Sequence, residues 1–243
     1  MRPDLPAPDL LRQQSDWLAP ARARLLRRIG VAHRRRVLDL GAGYGAATAE
    51  LARRSSGLTA ALDRNEAALR AADASFAEAS RVVGDARYLP FAGGVFDLVF
   101  TQLIWLWLPV ADALSEVWRV LAPEGALIAL EPDYGGMMEH PPDVAVGEVW
   151  RAALARAGAD PFVGRKLPGL LAACGFDVQV DLFATLSPPA EERFDLLRGL
   201  PLTDAERLAV AAAAAASASR RSVWGQVVHL PFFLITATRP ATV

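Results

Sequence analysis

Three aspartates follow apolar runs at nearly equal spacing in the first third of the chain. Asp39, Asp63 and Asp85 stand 24 and 22 residues apart, and each comes at the end of a short apolar segment. Such spacings are typical of compact strand–helix repeats with right-handed crossovers, which bring the carboxyl ends of parallel strands to one edge of a sheet. A carboxylate can accept two hydrogen bonds from a ribose diol or one from an adenine amine, so this edge could bind a nucleoside.

A glycine-rich turn follows the first aspartate. Residues 36–45 read RVLDLGAGYG, in which an apolar run stops at three alternating glycines before a helical pattern. Glycine can adopt positive φ and lets a ligand approach the backbone, and the N–H groups of the next helix face the same ligand. Gly41, Gly43 and Ala46 also fit the dinucleotide pattern, so a nicotinamide-dependent oxidoreductase is an alternative. Asp39 argues against it, because a pyrophosphate on this turn would meet a negative charge whereas an ammonium would be attracted.

The same stretch resembles the first motif of class I S-adenosylmethionine-dependent methyltransferases. The resemblance implies an α/β, Rossmann-like fold with a seven-stranded, mostly parallel sheet, an antiparallel last strand, helices on both faces and a helical cover. It implies S-adenosyl-L-methionine as cofactor, with its ribose on Asp63, its adenine near Asp85 and the Ala86 N–H, and its ammonium near the backbone of Thr101 and Gln102. The predicted cofactor-binding residues are Asp39, Gly41, Ala42, Gly43, Asp63, Arg64, Asp85, Ala86, Thr101 and Gln102.

The chain is predicted to form a single methyltransferase domain over residues 1–243. Residues 9–30 have a roughly helical apolar period broken at Pro20, which predicts a bent helix that either lines the cofactor pocket or only packs against the domain. Residues 187–225 are far more than a hairpin needs, and we predict a helical insertion over the active site, with a stabilising appendage as the alternative. The arginine-rich run 22–36 is interpreted as a solvated helix face and linker.

Periodicity and breakers predict the remaining elements. The predicted strands are 36–40, 58–63, 81–86, 95–102, 176–183 and 227–238, and the predicted helices include 46–54, 66–79, 113–121 and 144–157. Residues 122–132 resemble the turn into strand five of the methyltransferase family. The loop 133–140 is expected at the functional edge of the sheet, where it would contact the acceptor.

The implied reaction is methyl transfer to a small-molecule acceptor by in-line displacement. The sulfonium supplies the reactivity, so the protein mainly aligns the reactants and excludes water, and few catalytic side chains are obligatory. If the acceptor must lose a proton, His140, His229 and Tyr134 are the predicted catalytic residues, with Asp133 a further candidate base. A packing or surface role is at least as compatible with either histidine. A protein that binds the cofactor without catalysis is the second alternative.

Composition bounds the partners and the compartment. Lysine and arginine number 26 and acidic residues 27, and the net charge of -1 gives no general attraction to nucleic acid or to an anionic membrane. The only cysteine, Cys174, excludes an internal disulfide and a multi-thiolate metal site, and no metal is predicted. We expect a soluble cytoplasmic protein without membrane association, as a monomer or homodimer. The sequence does not indicate the acceptor or the atom that is methylated.

Overall fold

A computed structural model gives the structure of the protein and describes residues 5–71, 78–183, 186, 188–189, 191–222 and 224–241. The strands are β1 (Arg36–Leu40), β2 (Leu58–Asp63), β3 (Ala79–Val83), β4 (Phe96–Gln102), β5 (Leu121–Pro132), β6 (Met138–His140), β7 (Asp177–Leu182), β8 (Val227–His229) and β9 (Phe232–Thr238). The helices are α1 (Pro8–Arg28), α2 (Thr48–Arg54), α3 (Glu66–Ala71), α4 (Val110–Val120), α5 (Gly147–Arg156), α6 (Val163–Ala173), α7 (Glu192–Arg198) and α8 (Asp204–Ala218).

Seven strands form the central sheet in the order β3-β2-β1-β4-β5-β9-β7. Neighbouring strands from β3 to β5 pair in parallel, whereas β9 lies antiparallel between β5 and β7. This arrangement confirms the predicted sheet with its antiparallel last strand. It also brings the carboxyl ends of β1, β2, β3 and β4 to one edge, where ligands bind in open α/β sheets.

Helices cover both faces of the sheet because successive strand residues point to opposite sides. On one face Leu98 and Phe100 pack with buried residues of α1 and α2, including Leu25 and Leu51. On the other face Val99 packs in a cluster with residues from α4 to α8. The helices of the insertion, α7 and α8, therefore share the larger of these two cores.

The predicted boundaries around α3 and β3 are wrong. The helix predicted over 66–79 is described only as far as Ala71, residues 72–77 lie outside the described residues, and Ala79 already belongs to β3. The strand pairs with β2 from Ala79 to Val83, so sheet pairing overrides the helix preference of an alanine-rich stretch. It ends at Val83 rather than 86, which leaves Asp85 in a turn closed by a bridge to Tyr88.

The last strand and the predicted loop 133–140 also differ from expectation. The strand predicted over 227–238 is interrupted at Leu230 and Pro231, and proline cannot donate a ladder hydrogen bond. The first piece, β8, leaves the main sheet and pairs antiparallel with β6, which occupies part of the predicted loop. No helix within the described ranges is long and apolar enough to cross a membrane.

Candidate cofactor and acceptor site

A cavity of about 1260 Å³ lies at the carboxyl edge of the sheet. One part is lined by residues of the glycine turn and of the segments after β2 and β3: Gly41, Asp63, Arg64, Asn65, Asp85, Ala86 and Arg87. The other part is lined mainly by apolar and aromatic residues: Leu103, Ile104, Leu106, Trp107, Tyr134, Trp150, Leu154, Leu196, Leu200 and Pro201. The N-terminal part of α1 contributes Leu10, Leu11 and Gln14, so the cavity also has a wall from the N-terminal helix.

The glycines of the turn differ in their surroundings: Gly41 lies against a side chain, whereas Gly43 borders open space. Gly41, Gly43 and Gly45 have φ values of 81°, 53° and 78°, a region that favours glycine. A Cβ on Gly41 would lie 2.3 Å from Ile104 Cδ1, so a larger residue there would have to displace that side chain. A Cβ on Gly43 would meet no atom within 4 Å, which leaves space beside the backbone. Gly41 and Ala42 instead use their N–H groups to bind the Leu62 carbonyl, at 2.8 and 3.1 Å.

Asp63 is fixed by the backbone around it. Its Oδ2 accepts a hydrogen bond from the Gly43 N–H at 2.8 Å, and its Oδ1 accepts one from the Asn65 N–H at 2.8 Å. Each carboxylate oxygen retains a second lone pair, so the side chain can still accept one hydrogen bond per oxygen. The half-buried carboxylate lines the cavity, and its role toward a ribose diol stays a prediction.

Asp85 lines the cavity but is already paired. Arg87 Nη2 lies 2.6 Å from Asp85 Oδ2, and the Arg87 backbone N–H donates to Oδ1 at 2.9 Å. The Arg87 side chain lowers the pKa of Asp85 to about 2, so this carboxylate is ionised at neutral pH. An adenine amine would therefore share Asp85 with Arg87, a competition that the sequence interpretation did not include.

Asp39 is buried instead of facing the cavity. It is 3% exposed, Thr48 Oγ1 donates a hydrogen bond to it, and it is absent from the described residues that line the cavity. Burial raises the pKa of Asp39 to about 7, with the Thr48 bond and Arg22 acting in the opposite direction. The electrostatic argument against a pyrophosphate is weakened accordingly, because a large fraction of this carboxyl is neutral near pH 7.

Thr101 and Gln102 use their side chains within the protein. Thr101 is buried, accepts a hydrogen bond from Trp105 Nε1 at 2.9 Å and donates to the Ile128 carbonyl at 3.1 Å. Gln102 Oε1 accepts from Arg22 Nη1 at 3.0 Å. The predicted role of both residues concerns their backbone, and it stays a prediction.

The sequence analysis did not identify Arg22, whose side chain bonds Gln102 at the end of β4. It is 3% exposed, and its Nε also donates to Glu50 Oε2 at 2.7 Å. The interpretation of run 22–36 as a solvated face is therefore wrong for its first arginine. The heptad-like apolar pattern of α1 offered the available signal, since Leu18, Arg22 and Leu25 share one helix face.

Tyr134 stacks on Trp150 at the apolar end of the cavity. Their ring centroids are 5.1 Å apart with an interplanar angle of 30°. Burial raises the pKa of Tyr134 well above its ordinary value, and the nearby Glu131 adds to the rise. The phenol is therefore neutral over the physiological range, and it suits a hydrogen-bond donor better than a base.

The other candidate bases lie elsewhere. His229 pairs with Met138 and His140 pairs with Val227 on the β6–β8 ribbon, and neither histidine is among the described residues that line the cavity. Burial lowers the pKa of His229. Asp133 is held by Arg165, with Nη2 to Oδ2 at 2.6 Å. The lining therefore gives no support to a base role for these residues, and their catalytic role stays a prediction.

Glu131 was missed, and it shapes the wall after β4. It is fully buried, and its Oε1 accepts hydrogen bonds from the N–H groups of Ile104 at 2.9 Å and Trp105 at 3.1 Å. Leu103, just before them, has a φ of 60°, an uncommon value for a side chain of its size. Burial raises the pKa of Glu131 to about 8. Its position at the end of the apolar run of β5 was the sequence signal.

Comparison with known proteins agrees with this arrangement. Residues 38–129 match the sequence profile of a family described as a methyltransferase domain. An uncharacterized methyltransferase of Mycobacterium tuberculosis is 36% identical over 112 residues, which are 46% of this chain and 41% of the relative. The demethylmenaquinone methyltransferase of Thermus thermophilus is 34% identical over 148 residues, 56% of this chain and 60% of the relative. The chain thus spans from about two fifths to three fifths of the length of these relatives.

A solved structure extends the comparison to the whole fold. A protein from Bacillus halodurans described as a methyltransferase superposes with a TM-score of 0.66 at 19% identity, over 90% of this chain and 98% of that one. At this identity the likeness concerns the fold alone. Together with the strand order and the glycine turn, this likeness agrees with the match of residues 38–129 to a methyltransferase domain, and the chain has the fold expected of class I S-adenosylmethionine-dependent methyltransferases.

Proposed function

We propose that this chain transfers a methyl group from S-adenosyl-L-methionine to a small-molecule acceptor with an apolar or aromatic body. The observation that carries the proposal is the two-part cavity, whose polar part meets an apolar part along the wall after β4. The volume of about 1260 Å³ exceeds the roughly 300 to 1000 Å³ of ordinary single-ligand pockets, so it leaves room for two molecules side by side.

The residues of the polar part fit the cofactor. The open space beside Gly43 admits a ligand against the backbone, and Asp63 offers one free acceptor position on each oxygen for the ribose hydroxyls. Asp85 offers an ionised acceptor for the adenine amine, and Arg64 and Ala86 complete the wall. Gly41, Ala42 and the backbone near Thr101 and Gln102 would lie beside the remainder of the molecule.

The apolar part fits the acceptor. Tyr134 and Trp150 present a stacked aromatic pair, and Leu196, Leu200 and Pro201 face the cavity from the insertion 187–225. The Thermus relative is named for demethylmenaquinone, and a ring system of this general kind suits such a wall. We further propose that the insertion and the N-terminal helix act together as a cover over this chamber.

When bound, the cofactor supplies an electrophilic methyl group on a positively charged sulfur. The contribution of this chain is to align the acceptor with that group and to exclude water from the apolar chamber. Tyr134 is held neutral by burial, so it can orient an acceptor oxygen or nitrogen by donating a hydrogen bond. An acceptor that ionises by itself would need no protein base.

Two measurements test the proposal. Isothermal titration with S-adenosylhomocysteine should show saturable binding, whereas NADH should show none under the same conditions. Transfer of a labelled methyl group should then be assayed against a panel of aromatic and acyl acceptors. Tight binding of S-adenosylhomocysteine without transfer to any acceptor would favour a binding protein over an enzyme, and failure to bind it would refute the proposal.

A further inference from the structure

Glu131 carries a buried carboxyl group that the proposed reaction does not use. Its side chain is 0% exposed at the end of β5. The Oε1 atom accepts hydrogen bonds from two backbone N–H groups, whereas the Oε2 atom is buried without a hydrogen-bond partner in the described part of the chain. Burying a polar oxygen without a partner is costly. One oxygen of this carboxyl group therefore lowers stability, and the value of the residue must lie in what the other oxygen holds.

The Oε1 atom holds the segment that follows β4. Ile104 and Trp105 donate their N–H groups to it at 2.9 and 3.1 Å. The short 3₁₀ helix Trp105–Trp107 begins here, and the first N–H groups of a helix have no partner within it. Leu103, immediately before, has a φ of 60°, and strained backbone of this kind persists only where the surroundings fix it. The two bonds therefore help to fix a strained piece of backbone.

The same segment forms a wall that both parts of the cavity share. On the side of the glycine turn, the Ile104 side chain packs against Gly41, where a Cβ would lie 2.3 Å from Ile104 Cδ1. On the apolar side, Leu106 and Trp107 line the chamber. A shift of this backbone would therefore displace a surface of both parts at once.

The register of β4 and β5 places Glu131 beside this wall. Gln102 pairs with Leu130, and the Leu103 N–H donates to the Leu130 carbonyl at 3.0 Å. Glu131 is the next residue of β5, so its side chain extends toward the residues that follow Leu103. An aspartate here would be shorter by one carbon–carbon bond, about 1.5 Å, and could not reach both N–H groups without a shift of the backbone.

We propose that Glu131 is a positioning residue, which holds segment 103–107 in the conformation that binds the cofactor on one side and the acceptor on the other. It acts through the two N–H groups, since it is not among the described residues that line the cavity. Ligand sites depend on such supporting residues, because small displacements of a wall weaken binding even where every direct contact group is present. The inference rests on the proposed function, because it assigns the two parts of the cavity to cofactor and acceptor.

Two substitutions separate the reach of this side chain from its charge. Burial raises the pKa of Glu131 to about 8, so the group is mostly protonated at pH 7 and resembles the amide of glutamine. Glu131→Gln keeps the length and an accepting oxygen, and its S-adenosylhomocysteine affinity should stay within about threefold of the wild-type value. Glu131→Asp keeps the carboxyl group but not the reach, and should weaken binding at least about tenfold.

Isothermal titration on the full chain measures both dissociation constants, at a temperature where urea denaturation shows each variant to be fully folded. Glu131→Asp with wild-type affinity would overturn the proposal. Glu131→Gln weakened as much as Glu131→Asp would also overturn it, because the charge and not the position of the oxygen would then decide.

Asp97→Ala is the matched control at the other end of β4. The Asp97 carboxylate also accepts from two consecutive N–H groups, of Arg35 at 2.7 Å and of Arg36 at 3.1 Å. None of these three residues is among those described as lining the cavity, so the variant should lose stability but keep its affinity within about twofold. An affinity as low as that of Glu131→Asp would show that binding follows overall stability, which would contradict a specific role of Glu131.

Amide hydrogen exchange reports the two bonds directly. In Glu131→Asp the Ile104 and Trp105 amides should exchange at least about tenfold faster than in the wild-type protein, an increase larger than that at Val99 and Phe100 in the middle of β4. In Glu131→Gln their protection should be close to that of the wild-type protein. Weakened binding with both amides still protected would mean that Glu131 acts by another route, and the proposal would fail.

The two proposals can fail separately. If S-adenosylhomocysteine does not bind to the wild-type protein, the methyltransferase function fails. If it binds and Glu131→Asp binds it equally well, only the positioning role of Glu131 fails.

Discussion

Asp63 is the residue whose substitution tests the cofactor site most directly. We expect Asp63→Ala to weaken S-adenosylhomocysteine binding by roughly 1 to 3 kcal/mol, the range for hydrogen bonds to a charged group. Part of the effect is indirect, since the carboxylate also holds the Gly43 and Asn65 N–H groups. Isothermal titration measures the change, and Asp177→Ala, at an exposed position in β7, is the control. An unaltered dissociation constant in folded Asp63→Ala would remove this residue from the site.

Gly43 offers a test in which strain and ligand contact can be separated. Gly43 and Gly94 have φ values of 53° and 69°, and a Cβ on either would meet no atom within 4 Å. Alanine at either position should thus lower the free energy of unfolding by a similar amount, roughly 1 to 2 kcal/mol, because a residue with a Cβ is strained in the left-handed region. Only Gly43→Ala should also lose S-adenosylhomocysteine affinity, because the Gly43 N–H bonds Asp63, which lines the cavity, whereas the Gly94 N–H bonds the Arg119 carbonyl. Equal affinities of the two variants would mean that no ligand approaches Gly43.

Asp39 predicts a pH-dependent stability. Its folded-state pKa of about 7 lies above the unfolded value, so its ionisation destabilises the native state. The penalty is absent below about pH 4, grows until the pH reaches about 7 and is constant above that. At pH 8 the free energy of unfolding of Asp39→Asn, measured by urea denaturation, should therefore exceed that of the wild-type protein by on the order of 1 to 3 kcal/mol. This difference should shrink as the pH is lowered toward 4.5. A gap that does not change with pH would contradict the raised pKa.

At the scale of single residues, the sequence predicted the site residues that belong to one short stretch of strand, turn and carboxylate. Asp63 and the glycines could be predicted because strand, turn and carboxylate follow one another closely in the chain. Arg22 and Glu131 could not be found in this way. The Arg22 partners Glu50 and Gln102 are 28 and 80 residues away, and the Glu131 partner Ile104 is 27 residues away. Such pairs depend on the packing of elements, which one sequence does not specify.

At the scale of elements, α1 is tied to the site through Arg22. This side chain connects the helix to Glu50 in α2 and to Gln102 at the end of β4. Arg22→Met removes this partner from the half-buried Glu50 and Gln102 and should lower the free energy of unfolding by roughly 1 to 3 kcal/mol. Arg24→Met, at an exposed position of the same helix, should change it by less than about 0.5 kcal/mol. Chemical denaturation compares the two, and similar values would contradict an Arg22 anchor.

Whole elements were also predicted correctly where the signal is local and incorrectly where distant segments pair. The bounds 58–63 of β2 agree with the prediction because an isolated apolar run between turn signals has one interpretation. The start of β3 was wrong because alanine favours a helix while pairing with β2 requires a strand. The β6–β8 ribbon was missed because it joins segments about 90 residues apart, and each is too short to show a period.

At the scale of the whole molecule, the cavity has walls from the N-terminal helix α1 and from the segment that contains α7. Leu10, Leu11 and Gln14 of α1 line it together with Leu196 of α7 and with Leu200, which follows that helix. Both helices also contribute residues to the hydrophobic clusters, Leu18 and Leu25 from α1 and Phe194 and Leu197 from α7. If these helices act as the proposed cover, access to the cavity involves local opening of packed helices.

Hydrogen exchange can measure this opening in the intact protein. If α1 and α7 must open before the cofactor leaves, a ligand at 100 times its dissociation constant should slow exchange in residues 9–14 and 192–200 by up to about a hundredfold. The same ligand should leave the edge strand β7 unchanged, because none of its residues is among those described as lining the cavity. An acceptor added to the S-adenosylhomocysteine complex should slow the α7 amides further than those of α1, since α7 lines the apolar chamber. Uniform protection of α1, α7 and β7 would indicate global stabilisation and contradict a cover that opens locally.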